Sequence, residues 1–170
     1  MIRPFGSKTP SIGRNVLIAP GAHVIGDVVI GDEASIWFNT VVRGDVYYIR
    51  IGERTNLQDS TVVHVTTGRH ATVVENDVTI GHRALLHGCT VRHHAMIGMG
   101  AVVMDRAVVG AYSIVGAGSV VTEGAVIPPG TLVLGVPAKP RREITDLERA
   151  GLESAAAKYV RLAAAYLEMG

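Results

Sequence analysis

The sequence is short of several things that other folds depend on. Cysteine occurs once in 170 residues, at Cys89, which excludes an internal disulfide framework and fits a reducing compartment. Aromatic residues make up 5% of the chain against 48% hydrophobic overall, so the core must come from stacked small aliphatic side chains. Charge is nearly balanced, with 16 Lys and Arg against 15 Asp and Glu. That balance gives no reason to invoke nucleic acid or an anionic membrane as a partner. No apolar run approaches the roughly eighteen residues of a membrane span, and the opening MIRPFGSKTP lacks the apolar stretch of a secretory leader. These absences lead us to expect a soluble, cytoplasmic protein.

What is present is a period. Twenty six-residue units, each opened by an aliphatic residue, run from Ile12 to about Ala138. The openers are Ile12, Ile18, Val24, Ile30, Ile36 and Val42, then Ile51, Leu57, Val63, Val74, Ile80 and Leu86, and from Val91 every sixth residue to Val133. Four residues after each opener stands Ala, Ser, Thr or Val, except in the last unit, where it is Pro137. Self-similarity at a fixed period marks a solenoid. Side chains alternate along a strand, so opener and small residue both face inward, and coils of three units stack as parallel ladders about 4.8 Å apart. Twenty units make nearly seven triangular coils. The 20 glycines suit corners that need positive φ.

After Pro137 and Pro140 the spacing becomes helical. Ile144, Leu147, Ala156, Tyr159, Val160, Ala163 and Leu167 predict a helix over roughly 143–168, interrupted near Gly151. Its apolar stripe is expected to pack on the outside of the coil or on a neighbour. The chain thus reads as a repeat domain over 1–140 followed by a helical tail over 141–170.

Three breaks interrupt the period: nine residues from Val42 to Ile51, eleven from Val63 to Val74, and five from Leu86 to Val91. Breaks in a strict repeat are where function is grafted. Counting faces through them places Val42, Val63 and Leu86 on one side of successive coils, so Arg43, His64 and His87 form a column. Two imidazoles one rung apart can share a metal at about 2.0–2.1 Å per Zn–N bond. His82 follows Ile80 on the preceding side, and a convex prism cannot easily swing it round to the pair. A neighbouring copy in a ring of three can supply it. Met104 and Met99 continue the two columns and would wall the site. His23 and His70 read as ordinary exposed histidines. His93 and His94 are adjacent, which on a strand sends their rings apart and speaks against joint ligation. Cys89, in the inward region before Val91, reads as a packed thiol.

The segments SIWFNTVVRGD (Ser35–Asp45), IGERTNLQDSTVVHV (Ile51–Val65), VTIGHRALLHGCTV (Val78–Val91) and IGMGAVVMD (Ile97–Asp105) carry a likeness. They resemble the γ-class carbonic anhydrase family, whose fold is a left-handed parallel β-helix of hexapeptide repeats with a C-terminal α-helix. The resemblance implies a homotrimer that hydrates CO2 to bicarbonate through a metal-bound hydroxide. Zinc, with iron or cobalt as alternatives, would be held by His64, His82 and His87, the middle one from the adjacent subunit. It also implies that Gln58 contacts the reacting oxygen and that Asn56 lies near the site. Arg43, Asp45, Asp59 and Tyr159 would stand around the ligands or at the subunit contact. Asp59 reads equally as a turn residue and as the partner of the His82 ring; Tyr159 reads as a helix core residue as well. Val46 stands where the archetype has an acidic proton shuttle, a departure that bears on rate and not on metal binding. Three other readings are an acyltransferase, an acyl-CoA thioesterase using the same metal, and a non-catalytic metal-binding trimer.

Overall fold

The computed structural model of the chain describes residues 1–169. It is a mainly β solenoid of about seven parallel coils closed by one C-terminal helix. The first face carries the strands Leu17–Ile18, Ser35–Ile36, Asn56–Leu57, Thr79–Ile80, Met96–Ile97, Ile114–Val115 and Thr131–Leu134, stacked in that order. The other two faces form one 12-stranded sheet. They are joined because the long strands His23–Ile30 and Val41–Ile51 run on from one face to the next without interruption.

The openers make the core. All are buried except Ile12 and Ile18, which lie in the first coil with no rung beneath them. Burying one such side chain contributes about 1.5–3 kcal/mol, so the stack needs no large rings. Inward hydroxyls are satisfied between coils: Thr40 Oγ1 donates to the carbonyl of Gln58 at 2.9 Å, and Thr55 Oγ1 to that of Glu75 at 2.6 Å. Among the described residues no buried side-chain N or O lacks a partner, as close packing demands.

Two expectations about the coils need correction. In the broken units the inward small position is found by counting back from the next opener. Val46 and Thr67 are exposed and Thr90 half-buried, while Ile49, Thr72 and Cys89 take the interior place. The corners are not all glycine's work either: ten non-glycine residues, among them Asn15, Arg83 and His94, hold φ between 54° and 60°. Nine of the ten, all but Asn15 of the first coil, donate their backbone N–H to the coil below, as Arg83 N does to the carbonyl of Asp59 at 2.9 Å, which offsets the strain of that conformation.

The helix, α1, spans Asp146–Glu168 without a break at Gly151, because a glycine in an exposed helix costs only about 1 kcal/mol against its neighbours' propensity. It starts later than 143 because Lys139–Glu143 forms an antiparallel strand on Thr131–Leu134, crossing the expected boundary at 140. Thr145 and Glu148 make a reciprocal capping box at its N-terminus. Ala163 buries against Leu17 and Trp37, with Phe38 and Tyr159 packed alongside, so α1 covers the first face. Among the described residues no helix is long and apolar enough to cross a membrane.

Candidate metal centre

The parallel ladder of Val62–His64 and Leu85–His87 sets His64 directly opposite His87. His64 Nδ1 lies 3.2 Å from His87 Nε2. The outer nitrogen of each ring meets a carboxylate: His64 Nε2 is 3.1 Å from Asp45 Oδ1, and His87 Nδ1 is 2.6 Å from Asp105 Oδ1. A carboxylate can only accept, so each outer nitrogen carries the proton and each inner nitrogen keeps a lone pair. Two lone pairs therefore converge. Nitrogens bound to one tetrahedral Zn2+ at about 2.0–2.1 Å stand about 3.3–3.4 Å apart, and the observed spacing fits that edge.

Both carboxylates are held in turn. Arg43 Nη1 donates to Asp45 Oδ2 at 2.5 Å, and Thr66 Oγ1 donates to Asp105 Oδ2 at 2.5 Å. Burial pushes each carboxyl up. Hydrogen bonds from Arg43 and His64 on Asp45, and from Thr66 and His87 on Asp105, outweigh burial and leave both below the ordinary carboxylate range. Thr72, buried in the broken unit, donates from Oγ1 to the carbonyl of His64 at 2.6 Å and accepts from Gly88 N at 2.9 Å. One hydroxyl thus ties together the two histidine-bearing strands. Gly88 has φ +56°, and a Cβ there would overlap Asp105 Oδ1 and lie 2.8 Å from His70 Cβ, so the five-residue unit needs glycine.

His82 sits at the corner after the first face, its Nδ1 2.8 Å from Asp59 Oδ2. It does not join the pair: among the described residues no three His, Cys, Asp or Glu side chains converge on one point where a metal could sit. Asn56 and Gln58 lie on the same face as His82's strand, both buried. Asn56 Nδ2 donates to Thr79 Oγ1 at 2.9 Å, and Gln58 Nε2 donates to Asn56 Oδ1 at 3.2 Å. Tyr159 of α1 packs edge-on to Trp37 at 5.6 Å between centroids. Burial first, then the charge of Asp59, raises its hydroxyl pKa. Met99 and Met104 are exposed in the single chain and wall nothing there. Cys89 is buried, and burial pushes its thiol up to about 12, an inert packing residue.

The loop 66–70 closes through a bridge between Thr66 and His70, and its Gly68 N donates to the carbonyl of Val46 at 3.2 Å. Asp105, Thr66 and Thr72 escaped sequence reasoning. Asp105 could have been found, since it follows Met104, the residue the ladder places above His87. Thr72 could have been found by counting back two residues from Val74.

A coil of hexapeptide rungs with its chemistry at the breaks defines the class, a hexapeptide-repeat solenoid. The bacterial transferase hexapeptide (six repeats) family accordingly matches residues 9–44 and 88–123. The unmatched stretch between them holds His64, His82 and His87, most of the first break and the whole of the second. Carbonic anhydrase of Geobacillus kaustophilus is 50% identical over 160 residues, 94% of this chain and 87% of that protein. Protein YrdA of Escherichia coli is 44% identical over 177 residues, covering 100% of this chain and 96% of that protein. A solved Bacillus cereus structure, described as a candidate acetyltransferase, superposes with TM-score 0.97 at 41% identity, covering 99% of this chain and 98% of that one. The chain belongs to the γ-class carbonic anhydrase-like family of hexapeptide-repeat proteins.

Proposed function

We propose that the protein is a carbonic anhydrase-like lyase that interconverts CO2 and bicarbonate at a metal site shared between adjacent subunits of a homotrimer. The observation that carries this reading is the converging His64–His87 pair, 3.2 Å apart, with the third histidine on another face. His64 and His87 of one subunit and His82 of the next would hold Zn2+, with iron or cobalt as alternatives. Zinc so bound is a Lewis acid that makes water nucleophilic near neutral pH, an effect for which carbonic anhydrase is itself the standard case.

The protein's own groups do the rest. Asp45, Asp59 and Asp105 hold the outer N–H of each ring and fix its tautomer, keeping the inner nitrogens free to ligate. Gln58 and Asn56 precede Asp59 on the same strand and corner, so they travel with His82 to the shared site. There the Gln58 amide would orient the attacking oxygen. Val46 carries no proton, so proton export falls to solvent buffer, and the rate is expected to rise with buffer concentration.

The description of the Bacillus cereus relative favours a second reading, acyl transfer. That chemistry needs a histidine free of metal. The test is metal content, solution mass and stopped-flow CO2 hydration of zinc-loaded protein beside His82→Ala. The shared-site reading expects a trimer, one zinc per chain that depends on His82, and loss of that zinc and of activity in the variant. Unchanged activity in His82→Ala overturns it; zinc without hydration in excess buffer leaves a non-catalytic metal-binding trimer.

A further inference from the structure

His93 and His94 do not point apart. His94 occupies a corner with φ +57°, and that left-handed turn rotates its ring back toward its neighbour. His93 Nδ1 and His94 Nδ1 end 3.3 Å apart, the edge that two nitrogens on one tetrahedral cation require, about 3.3–3.4 Å.

The rings are held in place from the coil above. Tyr112 N donates to the carbonyl of His93 at 3.1 Å. The Tyr112 ring stacks on His94 at 4.7 Å and 8°, and meets His93 edge-on at 5.6 Å and 90°. Arg149 of α1 lies over the same ring, 4.0 Å from its centroid. From below, Glu75 accepts from His93 N at 2.9 Å and from Arg92 at 2.5 Å. The charge of Arg92 is thus balanced by a carboxylate at the foot of the pair. Two imidazoles fixed before any ligand arrives lose little freedom on chelation.

We infer that His93 and His94 form a second metal site, a two-histidine chelate on the corner between the third and first faces, for a borderline divalent transition-metal ion such as Zn2+. Each neutral ring moves its proton to Nε2 and gives its Nδ1 lone pair; water fills the remaining positions. The site lies on a different corner from His82. It needs no second subunit.

Equilibrium dialysis of the full protein against Zn2+, with zinc counted per chain, tests it. The comparison is His93→Asn/His94→Asn, chosen because asparagine tolerates positive φ, with near-UV circular dichroism to check the fold. The expected result is one zinc fewer per chain in the double variant, with CO2 hydration unchanged, and perturbed His93 and His94 ring signals in the wild-type NMR spectrum at one added equivalent. Equal zinc in the folded double variant and wild type overturns the assignment, as does zinc binding that leaves those ring signals unmoved. Should His64, His82 and His87 bind nothing, the His93–His94 equivalent still appears alone, so the two proposals fail separately.

Discussion

A shared site can be repaired by mixing two broken chains. His82→Ala keeps His64 and His87, whereas His87→Ala keeps His82; neither forms an intact site with itself. In a ring of three, each site draws its pair from one chain and its third ligand from the next. With equal amounts assorted at random, the first chain is His82→Ala in about one half of cases and the next is His87→Ala in about one half. About one quarter of sites are therefore complete. Co-refolding the two chains with distinguishable tags, with native mass spectrometry to confirm mixed trimers, should restore about one quarter of wild-type CO2 hydration and of the zinc held at the shared site. The parents alone should show neither that zinc nor activity. Single-chain geometry gives the opposite result, since a site within one chain is broken in both parents and mixing repairs nothing. Fully mixed trimers with no gain over the parents would falsify the intersubunit arrangement.

Asp105→Asn keeps an acceptor at His87 Nδ1 but removes its charge, and should weaken zinc affinity by about 10–100-fold in a chelator competition. Thr72→Val removes the hydroxyl between the carbonyl of His64 and the N–H of Gly88 and leaves them only their mutual 3.3 Å bond; urea denaturation should show a loss of about 0.5–1.5 kcal/mol. The two alanine replacements Gly88→Ala and Gly151→Ala should differ in sign. The first forces a Cβ onto Asp105 at φ +56° and should cost about 1–3 kcal/mol; the second, open on every side within 4 Å, should gain about 0.5–1 kcal/mol. Glu148, drawn down to about 2 by Arg142 and then Thr145, stabilises the helix cap fully above its ordinary 4.5 and loses that contribution as pH falls toward 2. Helical circular dichroism should fade over that window, and Glu148→Gln should flatten the change.

The period was legible because burial enforces it: an inward opener on every rung leaves a mark at every sixth residue. The column of His64 and His87 followed from the same count, as did the separation of His82. What escaped depends on backbone twist and on distance along the axis. A positive φ at His94 reverses the direction that strand alternation assigns to its ring, and no local residue preference announces it, since arginine, tyrosine and serine turn other corners in the same way. Asp105 reaches His87 from the next coil up, where the column count pointed to Met104. Gly151 looked like a break in the helix by composition, yet a continuous helix over the first face holds it in place through Ala156 and Ala163.

His64 and His87 stand 23 residues apart in the chain, yet the distance between their rings is fixed by the ladder that pairs their strands. Chain length between them is a free variable. Thr67, Gly68 and Arg69 face solvent, and doubling such a loop costs only about 0.6 kcal/mol of closure entropy. The bite of the imidazole pair is thereby decoupled from whatever the loop carries. A lineage could lengthen, trim or recharge that loop, retuning access and proton traffic, while the two nitrogens keep their spacing.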